Sequence, residues 1–98
     1  MSGAADAAIG TIKRTLAIAN KRGLHARAAA KFVRTAGQFD AAVRVTFKGQ
    51  DVSGLSIMGL MMLAAGIGSS IELSCSGRQA AEAMAALSAL VEGKFGEE

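Results

Sequence analysis

The feature that most constrains this chain is a hydrophobic pattern whose period changes along its length. It switches from every second residue to helical spacing and back. Thr11–Ala19 alternates, with Ile12, Leu16 and Ile18 on one parity and Lys13 on the other, which predicts a half-buried strand. A polar break, Asn20-Lys21-Arg22-Gly23, separates it from Ala26–Ala36, where Ala29, Phe32, Val33 and Ala36 form one apolar stripe. That spacing predicts a helix, with Gly37 as its stop. Arg27, Lys31 and Arg34 fall at i, i+4 and i+7, one exposed basic edge of the same helix.

Alternation resumes over Ala42–Lys48, with Val43, Val45 and Phe47 on one side, and Gly49 begins a tight turn into a short strand around Asp51–Ser53. Ser56 is placed to cap a short helix reaching about Leu63, ended by Gly66 and Gly68. Ser70–Ser76 alternates again, with Ile71, Leu73 and Cys75 inward. Gln79–Glu92 carries the longest helical stripe: Ala80, Ala83, Met84, Leu87, Leu90 and Val91. The order is therefore βαββαβα. Strands with one polar face need an antiparallel sheet, covered on its other face by the helices. The predicted fold is α+β, a four-stranded antiparallel sheet with three helices on one face. Ninety-eight residues leave room for one core. Met1–Gly10 reads as a disordered extension and residues 11–98 as the domain.

Several function classes fall away on composition. One cysteine and one histidine give neither a disulfide framework nor a metal cluster, and no cofactor is expected. Cys75, on the inward parity, reads as a small core residue. Met1–Gly10 lacks the pattern of a signal peptide. The longest nearly apolar run, Leu55–Ile67, is shorter than the roughly 20 residues that span a bilayer, so a cytoplasmic protein is expected. Gly66-Ile67-Gly68-Ser69-Ser70-Ile71 begins like a dinucleotide fingerprint and fails at its last position; there is no Gly-Lys-Ser/Thr phosphate loop. Net charge is +3, but residues 1–50 hold nine Lys/Arg against two acids, whereas residues 51–98 hold two against six. The basic half contains the only histidine, and its field would attract anions or acidic protein surfaces.

Three features remain for chemistry. His25 follows a glycine-containing break and immediately precedes a helix, beside first-turn amides that lack intrahelical partners. A phosphoryl group there would be bound by the N–H groups of Ala26 and Arg27 and by the Arg27 guanidinium. The alternative is an incidental polar loop residue. Ser56 reads first as a structural N-cap, and a phosphate on it would be tolerated by the helix dipole. Leu60 and Leu63 suffice for the core side of the short helix, so Ile57, Met58, Met61 and Met62 are either an adaptable docking surface or further core filling.

Gly23-Leu24-His25-Ala26-Arg27 with its Ala-rich helix, and Leu55-Ser56-Ile57-Met58-Gly59-Leu60 further along, resemble the HPr family. These are histidine-containing phosphocarriers of the bacterial phosphoenolpyruvate-dependent phosphotransferase system. The resemblance covers about Thr11 to Gly93 and implies an open-faced two-layer β-sandwich. It implies that His25 is phosphorylated on Nδ1 by enzyme I and that the acceptor is a histidine of an enzyme IIA. It makes Arg27 the phosphate-stabilising arginine. Ser56 matches a regulatory serine modified in some lineages by a dedicated kinase/phosphatase. Leu24, Ile57, Met58 and Met61 match the docking patch shared by successive partners. Ala28 stands where most members have proline; alanine there resembles the nitrogen-related branch, whereas the Ser56 motif resembles the kinase-regulated type.

The expected activity is phosphoryl carriage by a covalent phosphohistidine, not enzymatic turnover, by a monomer that docks transiently. The sugar-type and nitrogen-related branches both stay open, as do further regulatory partners. The rival is a phosphorylation-independent module binding an acidic regulator or RNA, supported by the Arg27/Lys31/Arg34 edge. Against nucleic acid stands the lack of Tyr and Trp for base stacking.

Overall fold

The structure, a computed structural model, describes residues 11–97. The extension expected over Met1–Gly10 lies outside the described residues. Strand β1 (Thr11–Ala17) leads to helix α1 (Ala26–Ala36), then to the hairpin of β2 (Ala42–Phe47) and β3 (Gln50–Ser53). Helix α2 (Ile57–Met62), strand β4 (Ser70–Ser76), helix α3 (Ala80–Glu92) and a 3-10 turn (Lys94–Gly96) complete the order. The sheet runs β1-β4-β2-β3 with every pairing antiparallel. This is the βαββαβα order and antiparallel sheet that the alternating strands predict, and the open-faced sandwich that the resemblance implies.

Inward residues of the strands meet the helices in one cluster. Leu16, Val43, Val45, Ile71, Leu73 and Cys75 pack with Phe32 of α1, Leu60 of α2, and Met84, Leu87 and Val91 of α3. Burial of these side chains, each worth roughly 1.5–3 kcal/mol, holds the two layers together. Burial also pushes the Cys75 thiol up from its ordinary pKa, in keeping with a core residue. Arg14 shares the inward parity on edge strand β1, and its Nη1 donates to Ser88 Oγ of α3 at 3.0 Å. The core rim is thereby closed by a hydrogen bond rather than by another aliphatic side chain.

Three boundaries differ from the sequence reading. β1 stops at Ala17: the Ile18 N–H still reaches Ser69 O in register at 2.8 Å, but the Ile18 carbonyl accepts from Gly68 instead of Ser69. Gly37 ends α1 in a right-handed conformation, φ −70°, so the stop is a continued turn and not a left-handed glycine. α2 ends before its glycines: Ala64 takes the left-handed position at φ 57°, and Gly68 instead donates to Ile18 O at 2.8 Å.

One glycine positions the loop before α1. Gly23 has φ +64°, and a Cβ on it would lie 2.4 Å from the Ala65 backbone oxygen. The next residue, Leu24, donates its N–H to that oxygen at 3.0 Å. Backbone conformation and close approach both exclude a side chain. Gly23→Ala is therefore expected to lower the unfolding free energy by at least about 2 kcal/mol, read by urea denaturation. Unchanged stability would contradict the packing described.

Candidate functional site

The loop carrying His25 is built around a buried amide. Asn20 is fully buried, and its Nδ2 donates to Gly23 O at 2.8 Å and to Glu97 Oε1 at 3.0 Å. The Gly23 N–H returns to Asn20 O at 3.2 Å, and the His25 N–H donates to Gly23 O at 2.9 Å. This tight turn delivers His25 as the N-cap of α1, with extended backbone at φ −74°, ψ 178°. Its carbonyl accepts the first helical bond, from Ala29 N–H at 2.8 Å.

The imidazole does not cap the helix, and the first turn holds no carboxylate. The N–H groups of Ala26, Arg27 and Ala28 therefore keep the unpaired donor character of a helix start. Ala28 is buried in the core, and alanine there adds a donor that proline would lack.

The His25 side chain is 14% exposed, and its Nε2 is hydrogen-bonded to Glu97 Oε2. The segment after α3 brings this carboxylate back across the fold. Phe95 is fully buried in the core at a positive φ of 55°, and its carbonyl accepts from Lys31 Nζ at 2.6 Å. Beside the pair opens a cleft of about 320 Å³ lined by Lys21, Arg22, Arg27, Lys31, Gly96 and Glu97. Four cations and one carboxylate face that space, which favours an anion.

Arg27 is exposed and makes no salt bridge among the described residues. Lys31 corrects the reading of a wholly exposed basic edge: it is half-buried and committed to Phe95 O. Ser56 caps α2, its Oγ accepting from Gly59 N–H at 2.9 Å. Ile57, Met58, Met61 and Met62 are exposed at 40, 66, 37 and 72%, while Leu60 and Leu63 are buried. The short helix thus turns an apolar surface outward, extended by Leu55 and Ile67. Leu24 does not belong to that surface. It is 5% exposed and packs in the core, with its backbone N–H bonded to Ala65 O. No helix is long and apolar enough to cross a membrane among the described residues.

Sequence reasoning missed Asn20 and Glu97. Phe95, a lone large apolar residue between glycines near the end of the chain, was the available signal that this segment docks.

A four-stranded antiparallel sheet covered on one face by three helices, with its single histidine heading the first helix, is the architecture of the small histidine phosphocarriers. Residues 12–93 match the family described as "PTS HPr component phosphorylation site". The phosphocarrier protein HPr of Neisseria meningitidis is 55% identical over 86 residues, 88% of this chain and 97% of that protein. The phosphocarrier protein NPr of Shewanella violacea is 42% identical over 88% of this chain and 94% of its own. The crystal structure of HPr-C-His from Thermoanaerobacter tengcongensis superposes with a TM-score of 0.85 at 45% identity, covering 89% of this chain and 98% of that one. The chain belongs to the HPr family, the phosphocarriers of the phosphotransferase system.

Glu97 has its carboxyl held below its ordinary value of 4.5, first by the hydrogen bond from His25, then by that from Asn20 and by the charges of His25 and Arg22; partial burial opposes them. A carboxyl lowered in the folded state contributes stability above its unfolded value and loses it as pH falls through the folded one. Docking of the Glu97 segment should therefore persist through the ordinary carboxylate range and release only at more acidic pH. Carbon-13 titration of the Glu97 carboxyl checks this, and a midpoint at or above 4.5 would contradict it.

Proposed function

We propose that this protein accepts a phosphoryl group on His25 Nδ1 from phosphorylated enzyme I and passes it to a histidine of an enzyme IIA, in the cytoplasm. The observation that carries the reading is the placement of His25. One imidazole stands at a helix start with unpaired donors, next to a cleft lined by four cations. In the first transfer the Nδ1 lone pair forms a new N–P bond while the donor's P–N bond breaks and its electrons return to the donor nitrogen. In the second, His25 is the leaving group. The chain contributes position and electrostatics: amides of Ala26, Arg27 and Ala28, the Arg27 guanidinium and the dipole of α1. Partners supply the rest.

The exposed Ile57/Met58/Met61 face suits brief docking with successive partners, since methionine adapts to different surfaces. Ser56, at the head of that helix, is the proposed regulatory phosphorylation site, for a serine kinase/phosphatase. A phosphate there would keep the helix capped and set negative charge at the apolar face. The relatives named HPr and NPr both match most of the chain, and the carrier step proposed here is common to both.

His25→Ala is expected to abolish labelling by phosphoenolpyruvate and enzyme I, measured as the loss of an acid-labile mass shift. Labelling of that variant at the parental level would end the proposal. Ser56→Asp keeps a competent N-cap and should weaken enzyme I binding about tenfold through charge beside the apolar face. Equal affinity by titration calorimetry would remove the regulatory role.

A further inference from the structure

The hydrogen-bonded chain Asn20–Glu97–His25 has a consequence for the reaction itself. Asn20 is fully buried, and its Nδ2 is shared between Gly23 O and Glu97 Oε1. Phe95 is buried just two residues earlier, with its carbonyl pinned by Lys31. The Glu97 carboxylate is therefore presented to the imidazole by a fixed donor and an anchored backbone, not by a free side chain. Its other oxygen lies against His25 Nε2.

We infer that Glu97 is a positioning residue for phosphoryl transfer: by accepting from Nε2–H it holds the His25 tautomer whose Nδ1 carries the free lone pair, and it steadies the positive ring that transfer creates. This rests on the carrier reading above. A carboxylate can only accept, so a neutral imidazole facing it must place its proton on Nε2. Nδ1 is then unprotonated and nucleophilic. When the Nδ1 lone pair bonds to phosphorus, the donor's P–N bond breaks, Nε2 keeps its proton, and the ring becomes a phosphoimidazolium with one positive charge.

A hydrogen bond from that cation to Glu97 is stronger than the one from the neutral ring. Positive charge develops on the ring as the N–P bond forms, so the carboxylate interacts more strongly with the transition state than with the starting state, which is the condition for accelerating a step. The same contact serves the return transfer. Keeping Nε2 protonated leaves a neutral imidazole as the departing group when the phosphoryl moves on, whereas a deprotonated ring would have to leave as an imidazolate. The carboxylate and the phosphoryl occupy different ring nitrogens, and Lys21, Arg22, Arg27 and Lys31 line the cleft that Glu97 shares.

The test compares the full-length parent with Glu97→Ala and Glu97→Gln. Nitrogen-15 spectra of the unphosphorylated imidazole should show, in the parent, a pyridine-like Nδ1 and a Nε2 proton protected from exchange. Glu97→Ala should lose that protection and populate the Nδ1–H tautomer. Glu97→Gln retains a neutral acceptor, so it should keep the tautomer while losing the charge. Labelling through enzyme I should slow about tenfold in Glu97→Gln, the difference between a charged and a neutral hydrogen bond, and by at least as much in Glu97→Ala, where the bond is lost.

A parent spectrum without the protected proton, a Glu97→Ala spectrum identical to the parent, or labelling of the variants at the parental rate would each overturn the inference. The failures separate cleanly. A parent with the protected proton that takes no label refutes the carrier reading, while a labelled parent lacking that proton refutes the role of Glu97.

Discussion

Everything at the His25 end of the molecule depends on one close backbone approach, that of Gly23 and Leu24 to Ala65. The Leu24 N–H reaches Ala65 O at 3.0 Å, and Gly23 lies so near the same oxygen that no Cβ fits. This contact ties the loop entering α1 to the loop leaving α2. With the turn held, the backbone at His25 is extended, the helix starts at Ala26, and no side chain caps the first-turn donors. A histidine in a longer, looser loop would share none of this. Its ring would sample water, and the helix dipole would act on nothing.

Charge then completes what the backbone begins. The basic surplus in residues 1–50 is concentrated by the fold, which brings Lys21 and Arg22 of the loop beside Arg27 and Lys31 of α1 around one cleft. The acidic half contributes Glu97 at the same place, seated by Phe95 in the core. A cationic cleft for the anion, with a carboxylate on Nε2 that lets the ring depart as a neutral imidazole, suits a group that must be gained and lost repeatedly.

Much of the architecture was legible because the strands alternate cleanly and each helix has a stripe. Val43/Val45 and Ile71/Leu73/Cys75 could face only one way. The His25 position was legible for the same local reason, a polar break followed at once by a helix. The departures came where tertiary contact overrides local pattern. Lys31 sits at an exposed spacing, yet it is drawn to Phe95 O, far along the chain. Leu24 is buried in the core, beside the long-range backbone bond from its N–H to Ala65 O. Ala64 adopts a left-handed conformation that propensity assigns to the glycines after it. The Glu97–His25 pair joins residues 72 apart in sequence, and no periodicity encodes such a pairing; only the isolated Phe95 hinted at it.

The most direct test of the account is where phosphorus becomes attached in the parent protein. After incubation of nitrogen-15-labelled protein with phosphoenolpyruvate and enzyme I, through-bond coupling between phosphorus-31 and nitrogen-15 identifies the atom. The account predicts one phosphoryl group, bonded to His25 Nδ1, with a proton remaining on Nε2. Phosphorus on Nε2, on a hydroxyl, or on no residue at all would contradict it.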